Sequence, residues 1–157
     1  MRMQEVIDYV AAMDGVLVLA PQPGDGTPEI AWGDVFFYYA PDGVVPSTQP
    51  FATIVTKDYP DDGASQLDRD GVFRVNVAAG AEWFGRLTEQ EGVASAIPPV
   101  DPSTFDVVQP HPVYGSLHWL CVVNPGPNTT ALLKKLLTAA HDRARDRFER
   151  RAALRSS

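Results

Sequence analysis

The sequence predicts an α+β domain, an antiparallel sheet of about five strands with its helices packed on one face. Apolar, strand-like segments follow one another without intervening helices, which favours antiparallel pairing. Helices are predicted at the start of the chain, before the last strand and after it. The predicted order of elements is therefore α-β-β-β-β-α-β-α. A length of 157 residues suits a single domain covering 1–157.

Each element rests on its periodicity and on the turn residues beside it. Apolar side chains recur at helical spacing over residues 4–13, and VLVL at 16–19 is typical of a short buried strand. Polar loops rich in Gly, Pro and Asp separate the later segments. The other predicted strands cover 29–39, 51–57, 72–77 and 117–123, and a helix is predicted over 81–89.

The C-terminal third combines an irregular stretch with a long basic helix. Residues 91–113 show no clear periodicity and contain five prolines, so we expect a long loop that covers a site or wraps the surface. A helix is predicted over about 129–153, with Thr129 or Thr130 as its N-cap and leucines and alanines along one face.

Charge and composition exclude several classes of protein. Residues 134–157 hold eight basic and three acidic side chains, yet the whole chain is −7, so the remaining body is −12. An acidic body disfavours binding to phosphate backbones. No apolar run is long enough to cross a membrane, and the N-terminus does not resemble a secretory signal. One cysteine fits a reducing cytoplasm. The basic end could contact an acidic partner or a second copy, or simply complement the helix dipole.

Strand alternation predicts a polar set on one face of the sheet. In VFRVNV the side chains of Arg74 and Asn76 point away from the neighbouring apolar residues. If helices cover only one face, the other gathers Arg74, Asn76, Lys57 and His118, with Asp34 near one end. Such a set could bind a small anion or carboxylate, because Arg74 supplies a fork of donors. It could equally be a solvated face with cross-strand pairs.

The histidines and the cysteine give weaker indications of chemistry. His118 could act as a general base, or it could be a hydrogen-bonded structural residue. His111 precedes a proline, which predicts an extended approach to the last strand. Cys121 lies inside an apolar strand, so we expect a buried, inert thiol. No His or Cys spacing resembles a zinc pattern, and we predict neither a metal nor a cofactor.

Four consecutive aromatic residues at 36–39 must place side chains on both faces of their strand. This arrangement predicts a second apolar surface. That surface could be a pocket under the proline-rich 91–113 loop or a contact between two copies of the chain.

Five segments of the chain are distinctive in sequence: PEIAWGDVFFYYAPDG, QPFATIVTKDYP, SQLDRDGVFRVNV, HPVYGSLHW and VVNPG. They resemble a bacterial family of small proteins known only as a domain of unknown function, number 6194. The resemblance extends over about residues 3–151 and implies no activity. Trp119 and the helix after it also give the order of elements a more distant resemblance to the YjbR-like double-wing DNA-binding domains.

The sequence therefore favours a non-enzymatic, cytoplasmic domain that binds a small anionic metabolite or a protein partner, with a homodimer as an open alternative. The second hypothesis is a small cofactor-free enzyme with a site between the sheet and the 91–113 loop, where His118, Arg74 and Asp34 are the suspects. DNA binding by analogy with the double-wing fold is the third hypothesis, and the acidic body opposes it.

Overall fold

A computed structural model describes residues 1–88 and 100–156, and its α+β architecture confirms the predicted fold class and element order. Three helices accompany one antiparallel sheet of six strands in the described ranges. The elements are α1 (Met3–Ala11), β1 (Val16–Leu19), β2 (Val35–Tyr39), β3 (Ala52–Val55), β4 (Arg74–Ala78), α2 (Gly80–Thr88), β5 (Gln109–Pro110), β6 (Trp119–Val123) and α3 (Thr130–Ser156).

The strands lie in the order β1-β2-β3-β4-β6-β5, and every neighbouring pair is antiparallel. The register aligns Asn76 of β4 with Thr53 on one side and with Cys121 on the other. Residues that face each other across an antiparallel pair point to the same side of the sheet. Thr53, Asn76 and Cys121 therefore share one face, and Arg74 on β4 shares it too.

The opposite face carries the hydrophobic core. Alternate residues of the central strands, including Val75, Val77 and Leu120, are at most 1% exposed there. The N-terminal half of α3 packs against them through apolar side chains three and four residues apart, as its amphipathic pattern predicts. The helical side of this core consists of Val6 and Val10 of α1 and Leu133, Leu136, Leu137 and Ala140 of α3.

α3 is longer than the face that it covers. Its buried residues end at His141, whereas the helix continues to Ser156. Phe148 still contacts the ring of Tyr39 at the end of β2, with ring centroids 5.4 Å apart. Beyond Phe148 every described residue of α3 is exposed. The last turns of the helix therefore extend beyond the sheet.

Part of the predicted 91–113 loop forms a strand. Gln109 and Pro110 pair with β6 as the short edge strand β5, which the proline pattern did not predict. Residues 91–99 of that predicted loop lie outside the described residues. A proline is compatible with this position because an edge strand needs no second row of amide donors.

Four predicted strands begin later than the sequence pattern indicates, and a 3₁₀ turn precedes two of them. Glu29–Ala31 form a 3₁₀ turn, and β2 starts only at Val35. Gly115–Leu117 form a second 3₁₀ turn, which ends at His118 in the left-handed conformation, with a φ of 65°. Each turn includes residues that the sequence pattern assigns to the following strand.

None of the helices in the described part of the chain combines the length and the apolar character that crossing a membrane requires.

Candidate functional site

A buried arginine organises the face of the sheet that the helices leave open. Arg74 on β4 is 1% exposed and donates both terminal nitrogens to Asp62, from Nη1 to Oδ1 at 3.0 Å and from Nη2 to Oδ2 at 2.5 Å. Nη1 also donates to Ser65 Oγ at 2.9 Å, and Nε donates to Asn76 Oδ1 at 2.7 Å. This two-pronged pairing is the strong form of an arginine–carboxylate contact.

His111 closes this network from the other side. Its Nδ1 accepts the backbone N–H groups of Val113 and Tyr114, both at 3.0 Å. Nδ1 therefore has no proton, and in a neutral ring the proton sits on Nε2. Nε2 lies 3.1 Å from Arg74 Nη2 and 3.8 Å from Asp62 Oδ2. Arg74 Nη2 donates to Asp62 Oδ2, whereas His111 Nε2 is too far from that oxygen for a hydrogen bond and interacts with it only electrostatically.

The electrostatics of this network keep His111 uncharged and Asp62 ionised. Burial and the adjacent Arg74 lower the pKa of His111 to about 4, although Asp62 acts in the opposite direction. Burial alone would raise the pKa of Asp62, but the hydrogen bonds and the charge of Arg74 outweigh it and lower that pKa. The network thus holds one cation and one anion with a neutral imidazole beside them.

A second buried carboxylate, Asp34, lies at the start of β2. Its Oδ1 accepts the backbone N–H and the hydroxyl of Thr56, both at 2.8 Å, and Lys57 Nζ at 2.9 Å. Its Oδ2 accepts the hydroxyl of Tyr59. Burial and the hydrogen bond to Asp34 raise the pKa of Tyr59. Asp34 is therefore an anchor for the chain that leaves β3.

In these two clusters the polar side chains form their hydrogen bonds with other groups of the same chain. Within the described ranges, no buried side-chain nitrogen or oxygen lacks a hydrogen-bond partner. Asn76 completes the set by donating Nδ2 to Thr53 Oγ at 3.0 Å. The face of the sheet that the helices leave open is accordingly covered by loops. Arg74 and Asp34 hold these loops in place through their hydrogen bonds.

The structure brings together only part of the predicted polar set. Arg74 contacts Asn76, and Lys57 contacts Asp34, in two separate hydrogen-bonded clusters. The placement of His118 on this face is wrong. It precedes β6, is exposed, and packs near the ring of Phe84 on α2, with ring centroids 5.4 Å apart.

The register explains the error for His118. Asn76 pairs with Cys121, so the odd-numbered residues of β6 face Arg74 and the even-numbered ones face the helices. Cys121 is buried as predicted, and burial raises the pKa of its thiol to about 12. Whether any residue of the predicted set binds a ligand remains a prediction.

His111 is the network residue that sequence reasoning missed. The His-Pro pair predicts only an extended approach to the last strand, whereas His111 is 4% exposed and its ring packs against Tyr114 and Trp119. The sequence does contain one local indication that His111 is buried, because two aromatic residues follow it within eight positions. Burial of a loop residue nevertheless depends on contacts distant in sequence.

A concave surface lies elsewhere, at one end of the sheet. We call it the α3 groove: its wall is α3 from Ala140 to Arg155, its opposite wall is the 42–50 loop, and its floor is formed by the ends of the central strands. Its volume is about 940 Å³. Tyr38 and Tyr39 of the aromatic run line it, but no described residue of the proline-rich 91–113 loop does.

Five arginines dominate the charge of the α3 groove, and Asp42 is the one carboxylate among the described residues that line it. Within those residues, none of the five guanidinium groups forms a salt bridge. Burial and the charge of Arg147 lower the pKa of Arg143. Among the described residues, the lining of the groove therefore carries an excess of positive charge. The five are Arg143, Arg147, Arg150, Arg151 and Arg155.

Arg143 is the fixed member of this set. Its Nη1 donates to the carbonyl oxygen of Ala78 at 2.9 Å. It lies against Gly80, which has a φ of 86° and where a Cβ would come within 2.3 Å of Nη1. Gly80 thus lets the guanidinium lie directly over the backbone that joins β4 to α2.

Residues 1–153 match the model of a family described as a family of unknown function, DUF6194. The chain belongs to DUF6194. No curated protein and no solved structure matches it. For this DUF6194 member, within residues 1–88 and 100–156, no three His, Cys, Asp or Glu side chains are grouped so that they could hold a metal ion.

Removing Arg74 tests whether the buried network is structural. Arg74→Ala leaves the Asp62 carboxylate without its cation, so we expect the free energy of unfolding to fall by about 3–5 kcal/mol. The double variant Arg74→Met/Asp62→Leu removes both charges and should recover most of that loss. Urea unfolding of purified protein measures both. The control Arg86→Ala, at an exposed arginine, should cost less than about 0.5 kcal/mol, and an equally small cost for Arg74→Ala would contradict the assignment.

The low pKa of His111 predicts a pH dependence of stability. The unfolded chain binds a proton at His111 below its ordinary pKa near 6.5, whereas the folded protein binds it only near 4. The free energy of unfolding should therefore decrease as the pH falls from about 6.5 to 4, by about 3 kcal/mol in total from this group. His111→Asn, which keeps an acceptor for the two amides, should remove most of this slope.

Urea midpoints measured at several pH values between 4 and 7.5 check this expectation. His118→Asn is the matched control, because His118 is exposed, and it should keep the wild-type slope. Equal slopes in wild type and His111→Asn would show that His111 is not the titrating group.

Proposed function

We propose that this DUF6194 member is a non-enzymatic, cytoplasmic domain that binds a negatively charged protein partner in the α3 groove. The observation that carries this proposal is the row of arginines on α3. Arg143, Arg147, Arg151 and Arg155 follow one another at intervals of four residues, so they form a stripe along one side of the helix.

A stripe of like charges is unfavourable for an isolated helix. Each like-charged pair four residues apart costs about 0.2–0.5 kcal/mol. The helix dipole accounts for little of this arrangement, because its effect is confined to the last turn. Arg155 lies in that turn, whereas Arg143 and Arg147 lie two or more turns earlier. An anionic partner would relieve the repulsion along the whole stripe.

The open face of the sheet is a weaker candidate for ligand binding or catalysis. A ligand there would compete with Asp62, Ser65 and Asn76 for the donors of Arg74. His111 has its Nδ1 occupied by two amides. The α3 groove, in contrast, offers guanidinium groups that no carboxylate of the described residues has taken. These contrasts favour partner binding over the enzyme hypothesis.

Neutralising two arginines of the stripe should weaken binding of a polyanion. We expect Arg147→Gln/Arg151→Gln to lower the affinity for fluorescently labelled poly-L-glutamate by at least about fivefold, because charge-assisted contacts are lost. Fluorescence anisotropy at two salt concentrations gives the affinities.

Lys135→Gln/Arg145→Gln is the matched control: it changes the charge of the same helix equally, but neither residue lines the groove. Its affinity should remain close to that of the wild type. If both double variants lose affinity equally, binding depends on the total charge of the chain and the α3 groove is not the site.

A further inference from the structure

We infer that the occupant of the α3 groove is an acidic amphipathic helix of about four turns that belongs to a protein partner. This inference rests on the proposed function and names the partner's chemistry. It depends on four features of the groove: its length, its exposed apolar side chains, the absence of strand edges in its lining, and the spread of its charge.

The length of the groove matches a helix of moderate size. Its α3 wall from Ala140 to Arg155 spans about 22 Å at 1.5 Å per residue. The arginine stripe alone covers about 18 Å of it. A helix of about 15 residues, laid along α3, would place carboxylates at the same four-residue spacing opposite the guanidinium groups.

The apolar side chains of the groove are unusually exposed. Leu154 is 75% exposed, Leu117 is 67% exposed and Val44 is 64% exposed, the three highest values among large hydrophobic residues in the described ranges. All three line the α3 groove, and each comes from a different part of it: α3, the 3₁₀ turn before β6 and the 42–50 loop. Convergence of such residues in one concavity is typical of a protein-binding surface.

The backbone that surrounds the groove favours a helix over an extended peptide. An extended peptide gains affinity by adding to the edge of a sheet. The edge strands here are β1 and β5, and no residue of either lines the groove. The N–H groups of α3 along the groove are bonded within the helix and cannot pair with an extended strand, so a partner that satisfies its own backbone, as a helix does, fits this wall.

The spread of charge opposes the other anionic occupants. A small metabolite would reach only one or two of the arginines, which extend over about 18 Å. A nucleic acid would place phosphates beside Leu117 and Leu154, and the strongly acidic body of the chain would repel it. An amphipathic helix instead matches both properties, with carboxylates against the stripe and apolar side chains against the floor and the loop.

Two peptides of identical composition test the inference. Both have about 16 residues of Glu, Leu and Ala. In one, the leucines recur at helical spacing on a single face, and in the other they are scattered round the helix. We expect the amphipathic peptide to bind wild-type protein at least about tenfold more tightly in fluorescence anisotropy, and to gain helical circular dichroism on binding.

Substitutions of exposed apolar residues locate this preference. Leu117→Ser/Leu154→Ser should reduce the tenfold preference to about onefold while the weaker, charge-driven binding of both peptides persists. Ile30→Ser/Val113→Ser is the matched control, because both residues are exposed and neither lines the groove. It should keep the preference, and thermal melts of both variants establish that they are folded.

Other outcomes would distinguish a failure of the helix inference from a failure of the proposed function. Equal affinity of the two peptides, abolished by Arg147→Gln/Arg151→Gln, would overturn the helix inference and leave the anionic groove in place. Absence of binding by both peptides would overturn the inference and the proposed function together. Tighter binding of a DNA duplex than of the amphipathic peptide would also overturn both, since it would make the groove a nucleic-acid site.

Discussion

The buried guanidinium of Arg74 is the constraint on which the open face of the sheet depends. It lies on a central strand and is almost completely removed from water. A charge in this position needs a counter-ion and further hydrogen bonds. Asp62 and Ser65 supply them from the segment between β3 and β4, and His111 approaches from the segment between β5 and β6. Two loops therefore cover the face of the sheet that the helices leave open.

The polar residues that stabilise the fold are therefore different from those of the proposed binding site. The buried Asp34 and the half-buried Asp62 are both engaged by donors of the same chain. The unpaired charge lies instead on the part of α3 that extends beyond the core, beside the 42–50 loop. The helix thus has two roles, since its first half completes the core and its second half forms one wall of the groove.

Alternation along strands predicts much of this structure, since it depends on local geometry alone. It places Arg74 and Asn76 on the face opposite the core, and it predicts the buried thiol of Cys121. It does not determine which face of β6 meets Arg74, and the prediction for His118 is wrong because the register puts Cys121 on that face instead. His111 was missed for a related reason: its burial depends on Arg74, 37 positions away along the chain.

The α3 groove was predictable only in part. The four-residue spacing of the arginines is visible in the sequence, but the same pattern is typical of a solvated helix face. Its second wall comes from the 42–50 loop, which lies about a hundred residues earlier in the chain. The side of α3 that faces this loop is set by how the leucines of its first half pack on the sheet.

Amide chemical shifts recorded during a titration with the acidic amphipathic peptide test most directly whether the groove, and not the open sheet face, is the binding site. The account predicts that the largest changes fall on residues 42–50, 117–119 and 140–155, while the amides of Asp62, Arg74 and His111 stay nearly unchanged. Changes centred on those three residues, with α3 unaffected beyond His141, would contradict it.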